Sequence, residues 1–211
     1  MKIVRASAEI IFPSSLNVAK EMVLLIEKAA RLCYKTEYVM IDNKINESFI
    51  KDKIERGHHS ILEHSMVTVK FVVDRGVSHA IVRHRLASYS QESTRYCNYA
   101  NYRFGKEITV IEPLFFDGKS ENMIWYDECL KAEEAYFKLL EFGATPQEAR
   151  SVLPNSLKTE LIMTGNFREW RHFFSIRTCK DSHPQMLEVT IPLLAKFKQM
   201  FPPIFSDIEV K

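Results

Sequence analysis

Glycine is scarce in this chain. Only six of its 211 residues are glycine, and they stand far apart, at positions 57, 76, 105, 118, 143 and 165. A Gly-x-Gly-x-x-Gly turn or a P-loop needs closely spaced glycines, so both are excluded. The Gly-x-Ser-x-Gly elbow of the α/β-hydrolases is absent as well. A nucleotide bound by this chain would therefore have its phosphates held by side chains.

Cysteine pairs, long apolar runs and a charge excess are also missing. The four cysteines (Cys33, Cys97, Cys129 and Cys179) are scattered without a Cys-x-x-Cys motif, which favours reduced thiols over a disulfide framework. No apolar run is long enough to span a bilayer, and the first residues lack a signal-peptide pattern, so we expect a cytoplasmic protein. The formal charge of +2, from 29 basic and 27 acidic side chains, argues against a dedicated nucleic-acid binder.

The apolar periodicity predicts an α+β fold in a single domain over residues 1–211, with about six helices packed on a small mixed or antiparallel sheet. Alternating apolar residues predict strands, and i, i+3, i+4 spacing between capping residues predicts helices. The predicted strands are 2–12, 66–74, 108–111 and 157–163. The predicted helices are 16 to about 30–34, 47–56, 77–85, 120–142 (capped by Ser120), 146–150, 167–178 (capped by Asn166), and one from 184 that is interrupted or kinked at Pro192.

The stretch 83–96 concentrates functional side chains. It holds three arginines, one histidine, three serines and two tyrosines within fourteen residues. Each guanidinium offers a planar fork of donors that suits phosphate oxygens. On a helix over 77–85, Arg83 and Arg85 would project to nearly opposite sides, so one could serve a second ligand or a neighbouring subunit. A solvated basic turn is the simpler interpretation, but the hydroxyls and aromatic rings beside the arginines favour a binding site.

Three histidines and Glu63 fall within residues 57–64. Neither His-Glu-x-x-His nor its inverse occurs, and no third ligand has suitable spacing, so a zinc site is not favoured and no metal is predicted. Buried core histidines, or a polar patch of His58, Ser60 and Glu63 against a planar heterocycle, are the remaining interpretations.

Three further arginines, Arg150, Arg168 and Arg177, lie on later helices. Each taken alone is consistent with a solvated helix face. Arg177 follows Phe173-Phe174, which places it at the edge of a buried face.

The pattern Arg83-His84-Arg85, then seven residues, then Ser93 resembles the signature of the flavin-dependent thymidylate synthases. Residues 57–64, 149–154 and 181–185 are similar to other segments of that family. The similarity runs in the same order from about residue 5 to residue 205. This chain departs from the family's pattern at three positions. Ala80, Gln91 and Cys33 stand where relatives commonly have a glutamine, a glutamate and a serine, respectively.

The resemblance implies methylation of dUMP to dTMP, with 5,10-methylenetetrahydrofolate as carbon donor and FAD, reduced by NADPH, as hydride carrier. It also implies a homotetramer with active sites at subunit interfaces. The near-balanced charge and the lack of a long apolar run predict no nucleic-acid or membrane partner. The residues implied for FAD are His58, Ser60, Glu63, Arg83, His84, Arg85, Asn166, Arg168 and His172. Those implied for dUMP are Arg85, Gln91, Ser93, Thr94, Arg95, Arg150 and Arg177.

Within this scheme Arg177 is the predicted catalytic residue, because a guanidinium beside the pyrimidine would stabilise negative charge that develops on the ring. Ser93 has no base beside it in sequence, so we expect it to bind dUMP and not to act as a nucleophile. Two alternatives remain. One is a single-stranded nucleic-acid protein that stacks bases on Tyr89, Tyr96, Tyr99 and Tyr102. The other is a nucleotide-binding relative without turnover.

Overall fold

The structure, a computed structural model, describes residues 1–40 and 44–210 and has an α+β fold. Two compact units divide the chain. Unit 1 comprises 1–7, 71–83 and 90–161, and unit 2 comprises 8–70, 84–89 and 162–211. The single-domain organisation stays a prediction.

The six strands of the described residues form two sheets, where the sequence predicted one. Strands β1 and β5 pair in parallel, with Lys2 opposite Thr109 and Val4 opposite Ile111. The other sheet has the order β2-β3-β6-β4. The strands are β1 Lys2–Val4, β2 Ser7–Phe12, β3 Met66–Asp74, β4 Ala87–Gln91, β5 Thr109–Ile111 and β6 Lys158–Asn166.

The described residues form eight α-helices. Six of them have seven residues or more, and the total exceeds the prediction of about six. They are α1 Leu16–Leu32, α2 Glu47–Glu55, α3 Arg75–Ile81, α4 Ser120–Glu141, α5 Pro146–Ala149, α6 Phe167–Arg177, α7 Pro184–Met200 and α8 Pro202–Phe205. A 3-10 helix, His59–His64, precedes β3.

Local signals placed most of these elements correctly. Ser15 caps α1 by accepting from the backbone N–H of Val18 at 3.3 Å, and Asn46 caps α2 by accepting from that of Phe49 at 3.0 Å. Gly57 takes a φ of 77° just after α2, a conformation that glycine adopts without a steric penalty. Along β3, Val67, Phe71 and their alternate neighbours are fully buried, as the period of two predicted.

Four predictions about elements are wrong. Residues 2–12 form two strands in different sheets, because the chain leaves β1 at Arg5. Helix α3 ends at Ile81, so Arg83 and Arg85 follow the helix and do not project from its opposite sides. Lys119, without a side-chain hydrogen bond, takes the N-cap position of α4 that was predicted for Ser120. Helix α7 continues from Pro184 to Met200 through Pro192, so the predicted interruption is wrong, whereas a kink at Pro192 stays a prediction.

Each unit has its own apolar core. In unit 1, Tyr136 and Cys129 of α4 pack with Ile108, Val110 and Leu157. In unit 2, α6, α7 and α8 bring together a cluster of aromatic rings with centroids 4.7–6.1 Å apart. Its members are Phe167, Trp170, Phe173, Phe174, Phe197, Phe201 and Phe205, all fully buried. This cluster fixes the face of α6 on which the predicted catalytic arginine stands.

Candidate functional site

His84 is the one buried side chain among the predicted site residues in unit 2. It follows α3 and is only 4% exposed. Its Nδ1 lies 3.1 Å from Oε1 of Glu169, and its Nε2 accepts a hydrogen bond from Nε of Arg177 at 3.0 Å. The ring of Phe173 stands edge-on at 4.9 Å between centroids. Residues 169, 173 and 177 are four apart along α6, so one helical face supplies all three contacts.

The surroundings keep the His84 imidazole neutral. Burial lowers the pKa of His84 to about 4, and the charge of Arg177 and the proximity of His172 act in the same direction. Burial also raises the pKa of the Glu169 carboxyl, an effect that His172 opposes. Tyr89 donates from its hydroxyl to the backbone carbonyl of His84 at 2.6 Å, and burial raises the pKa of Tyr89 to about 12. The hydroxyl therefore remains a donor that holds the backbone of His84.

The segment predicted to contact the flavin is polar and exposed. His58 precedes the 3-10 helix and is exposed, as are Ser60 and Glu63, whereas Ile61 and Leu62 anchor the helix in the core. Arg168 donates to Glu63 at 2.6 Å. The expectation of buried core histidines is therefore wrong, because His58 and His64 are exposed and only His59 is partly buried, with Nε2 3.2 Å from the carbonyl of Ile54. The polar patch is the interpretation that fits.

Asn166 has a structural contact of its own. Its side-chain oxygen accepts from the backbone N–H of Glu169 at 2.9 Å and so caps α6, as predicted. Glu169 is held at the first turn of α6 by this cap. The cap thus also positions the carboxylate that contacts His84.

In unit 1, the predicted dUMP residues come from two segments that lie together. Nη1 of Arg150, just after α5, lies 3.3 Å from the hydroxyl of Thr94, and Nε of Arg95 donates to Oε1 of Gln147 at 3.0 Å. The hydroxyl of Ser93 accepts from the backbone N–H of Arg95 at 3.3 Å. The side chains of Arg95 and Arg150 therefore extend from neighbouring positions on one surface.

Gln91 is fixed at the end of β4 within the same unit. Its amide nitrogen donates to the hydroxyls of Ser78 at 3.0 Å and of Thr159 at 3.2 Å. Because these bonds use the nitrogen, the amide oxygen is the group of Gln91 that remains to accept a hydrogen bond from a ligand.

Four predicted site arginines have no carboxylate partner among residues 1–40 and 44–210. They are Arg83, Arg95 and Arg150 in unit 1 and Arg85 in unit 2, and all four are exposed. Elsewhere in the chain, by contrast, Arg31 pairs with Glu27 at 2.8 Å and Arg171 with Asp207 at 2.6 Å. Guanidiniums that lack an internal counter-ion are available to anionic ligands.

Sequence reasoning missed Glu169 and Glu92. Glu169 carries a usable signal, since it stands eight residues before Arg177 and hence on the same face of a predicted helix. Glu92 accepts from Lys158 at 2.8 Å and from the hydroxyl of Tyr99 at 3.0 Å, which anchors the chain just after β4. No local pattern indicates the Glu92 contacts, because Lys158 is 66 positions away and Tyr99 reaches Glu92 only through the course of the intervening loop.

The tyrosine platform of the nucleic-acid alternative is not formed. Tyr99 is buried, with its ring against Phe104 and Tyr136, and the hydroxyl of Tyr89 is bonded to the backbone. Of the four tyrosines in this alternative, only Tyr96 and Tyr102 are largely exposed.

One group of three possible metal ligands occurs in the described part of the chain. The candidate atoms of His84, Glu169 and His172 lie within 4.8 Å of one another. Both ring nitrogens of His84 already have partners, however, so a metal ion would have to displace either Arg177 or Glu169.

The described helices include none that is long and apolar enough to cross a membrane.

Guanidiniums without carboxylate partners are typical of sites that bind phosphate groups through side chains.

Comparison with known sequences identifies the family. The profile of the family described as "Thymidylate synthase complementing protein" matches residues 16–203. The chain therefore belongs to this family.

Curated relatives agree with this assignment. The flavin-dependent thymidylate synthase of Corynebacterium efficiens is 32% identical over 199 residues, which cover 89% of this chain and 80% of the relative. That of Geobacter sulfurreducens is 34% identical over 188 residues, covering 85% and 78%. That of Mycobacterium avium is 32% identical over 203 residues, covering 88% and 79%.

Proposed function

We propose that this protein is a flavin-dependent thymidylate synthase that methylates dUMP to dTMP. The carbon comes from 5,10-methylenetetrahydrofolate, and the hydride passes through FAD that NADPH reduces. Family membership and the names of the relatives support the activity. The observation in the structure that carries it is the set of exposed guanidiniums without carboxylate partners in a chain that has no glycine-rich phosphate loop.

The donor set of the predicted flavin residues fits FAD. Arg85 has no carboxylate partner, so its fork is available to a pyrophosphate oxygen, and Arg168 with Glu63 offers an exposed donor and acceptor side by side. The residues that would hold FAD are His58, Ser60, Glu63, Arg83, His84, Arg85, Asn166, Arg168 and His172. When bound, FAD supplies the hydride chemistry that the side chains of the protein cannot perform.

The predicted dUMP residues supply complementary groups. Arg95 and Arg150 would bind the phosphate, since their guanidiniums leave neighbouring points of one surface. Gln91 would accept from the nucleoside through its amide oxygen, with Ser93, Thr94 and Arg85 completing the set. Ser93 has a binding role in this scheme, because its hydroxyl accepts from the backbone and no imidazole or carboxylate of the described residues is bonded to it.

Arg177 is the proposed catalytic group. Uracil C5 is a weak nucleophile, and its reactivity rises when electron density can move towards N1 and the ring carbonyl. A guanidinium held at the pyrimidine would stabilise that developing negative charge, most strongly where water is excluded. The contact of Nε with the neutral His84 leaves the positive charge of Arg177 uncompensated by that partner.

We further propose that the protein acts as a single-domain subunit of a homotetramer whose active sites lie at subunit interfaces. The small-molecule substrates are dUMP, the folate and NADPH. The cytoplasmic location expected from the four free cysteines stays a prediction.

Spectra and turnover of the purified protein test the proposal. We expect a yellow protein whose released chromophore co-elutes with FAD on chromatography. We also expect dTMP to form from dUMP when methylenetetrahydrofolate and NADPH are added. A colourless protein that forms no dTMP after incubation with FAD would overturn the proposal.

A further inference from the structure

The two hydrogen bonds of His84 define which of its ring nitrogens carries the proton. A guanidinium N–H can only donate, so Nε2 of His84, 3.0 Å from Nε of Arg177, must accept. In a neutral imidazole the proton then lies on Nδ1, which faces Oε1 of Glu169 at 3.1 Å. The contacts form a directed series in which Arg177 donates to His84 and His84 donates to Glu169.

Glu169 is the group that makes this tautomer favourable. A carboxylate only accepts, so it bonds Nδ1 when that nitrogen is protonated and repels its lone pair when it is not. Glu169 is itself 5% exposed, and its backbone is fixed by the Asn166 cap at the start of α6. A carboxylate in that position has little freedom to turn away from the imidazole.

We propose that Glu169 is a positioning residue that acts through His84 to orient the guanidinium of Arg177. With the Glu169 carboxylate in place, Nε2 of His84 is unprotonated and accepts the hydrogen bond from Nε of Arg177. That bond constrains the plane of the guanidinium, because it holds Nε in one direction. Without the carboxylate, the His84 proton can lie on Nε2, where it faces the N–H of Arg177 and the hydrogen bond between the two side chains is lost.

The proposal rests on the proposed function for the role of Arg177, but not for the tautomer of His84. Removing the carboxylate should therefore have two separable effects. One is a change in the His84 ring that any function would allow. The other is a loss of turnover with dUMP that arises only if Arg177 stabilises the reacting pyrimidine.

The first measurement is the tautomer of His84 in the FAD-loaded protein at pH 7.5, read by long-range 1H–15N NMR, which separates protonated from bare ring nitrogens. A His84→Gln variant assigns the signal. We expect Nδ1 to be protonated and Nε2 bare in the unsubstituted protein and in Glu169→Gln, whose amide oxygen can still accept. We expect Glu169→Leu to lose this pattern, and Glu21→Leu, which removes an exposed carboxylate from α1, to keep it.

The second measurement is turnover at saturating FAD, with circular dichroism and thermal unfolding to confirm that each variant is folded. We expect Glu169→Leu to lower kcat/KM for dUMP on the order of 10-fold or more, the effect of losing a hydrogen bond to a charged group. Glu169→Gln should recover most of that loss.

Two outcomes overturn the proposal. One is a His84 ring that carries its proton on Nε2, or on both nitrogens, in the unsubstituted protein. The other is a folded Glu169→Leu protein with unchanged turnover and an unchanged His84 tautomer. The His84 tautomers can be as expected while neither the unsubstituted protein nor any variant forms dTMP. That result would support the hydrogen bonds from Arg177 to His84 and from His84 to Glu169, and it would contradict the proposed function. If Glu169→Leu does not fold, the unsubstituted protein and Glu169→Gln still decide the tautomer.

Discussion

At the scale of single residues, Arg168 and Arg177 leave the same helix with different partners. They are nine positions apart on α6, which is two and a half turns, so they stand on opposite sides. Arg168 pairs with Glu63 of the flavin segment, whereas Arg177 contacts His84. We therefore expect the two arginines to serve different ligands.

Alanine substitutions should separate these roles. Arg177→Ala should weaken dUMP binding roughly 10- to 100-fold, the effect of losing charge-assisted hydrogen bonds, and leave FAD bound. Arg168→Ala should weaken FAD and leave dUMP affinity nearly unchanged. Calorimetric titration of dUMP and the flavin content of each purified variant measure the two effects. Equal loss of both ligands in both variants would contradict the division.

The neutral His84 also predicts how stability depends on pH. Its pKa is about 4 in the folded protein, against about 6.5 for an unfolded histidine. Between these values the unfolded chain binds the proton more readily, so stability falls as the pH drops from 6.5 towards 4. The loss attributable to His84 should approach about 3 kcal/mol at pH 4. Arg177 and His172 disfavour the imidazolium, whereas the carboxylate of Glu169, 3.1 Å from Nδ1, favours it.

Urea unfolding at pH 7 and at pH 4.5 measures this dependence. His84→Gln should have a smaller difference in unfolding free energy between the two pH values than the unsubstituted protein. His79→Gln removes an exposed imidazole and should leave the difference as it is. An identical pH dependence in all three proteins would show that His84 does not titrate in this way.

At the scale of elements, α5 positions the dUMP side of the proposed site. Its N-terminus is a capping box in which Glu148 accepts from the backbone N–H of Thr145 at 2.8 Å and from its hydroxyl at 2.6 Å. These bonds lower the pKa of Glu148. The helix is only four residues long, so the capping box is a large part of what orders Gln147 and Arg150.

Removing the Glu148 acceptor should therefore loosen the phosphate contacts. We expect Glu148→Ala to weaken dUMP binding several-fold and to leave flavin content unchanged. Glu141→Ala, at the exposed end of α4, is the matched control and should change neither. Calorimetry reports the affinity, and a Glu148→Ala protein that binds dUMP as tightly as the control would contradict the role of the cap.

The aromatic cluster of unit 2 predicts where stability is concentrated. Phe197 of α7 is fully buried against Trp170, Phe174, Phe201 and Phe205. Phe197→Ala should lower the free energy of unfolding by about 3–5 kcal/mol, from lost transfer energy and the cavity that remains. Phe142→Ala, at an 81% exposed position, should have little effect. Denaturant unfolding compares the two, and a similar small loss in both would contradict a rigid aromatic core.

At the scale of the whole molecule, the proposed homotetramer predicts that subunits complement one another. If Arg95 and Arg168 of different subunits meet at one active site, Arg95→Ala and Arg168→Ala chains should each be inactive alone. Mixed tetramers would contain some sites with both arginines intact, so co-expression should restore a fraction of the activity. The double variant supplies the control without intact sites, and sedimentation confirms the assembly. No recovery in mixed tetramers would place both arginines in a site built by one subunit.

Elements with strong local signals agree with their predictions. The capping residues Ser15, Asn46 and Asn166, and the alternation along β3, act on the nearest few backbone positions, so the sequence around them is sufficient. Strand β4 was missed because Ala87–Gln91 is polar and nearly without apolar alternation. Strand β4 forms because the neighbouring strand of the sheet provides partners for its backbone hydrogen bonds. These bonds do not require an apolar alternation in its own side chains.

The end of α3 shows the same limit at functional positions. The local pattern suggested a helix through Arg85, but the chain leaves the helix at Ile81. His84 then turns towards α6, which the preceding residues do not encode. The prediction of the site residues does not depend on this helix, because the resemblance implied them one by one.

The sequence by itself determined the family, the absence of a glycine phosphate cradle and most helix and strand bounds, because these depend on residue type and short spacing. The tertiary structure alone decided that Glu169, His84 and Arg177 meet, since 85 and 93 positions of chain separate His84 from its two partners. Packing of α6 on its aromatic face brings them within hydrogen-bond distance. Burial of His84 beside α6 keeps its imidazole neutral, and no local motif predicts that burial. The neutral ring has an unprotonated nitrogen that accepts a hydrogen bond from the guanidinium of Arg177.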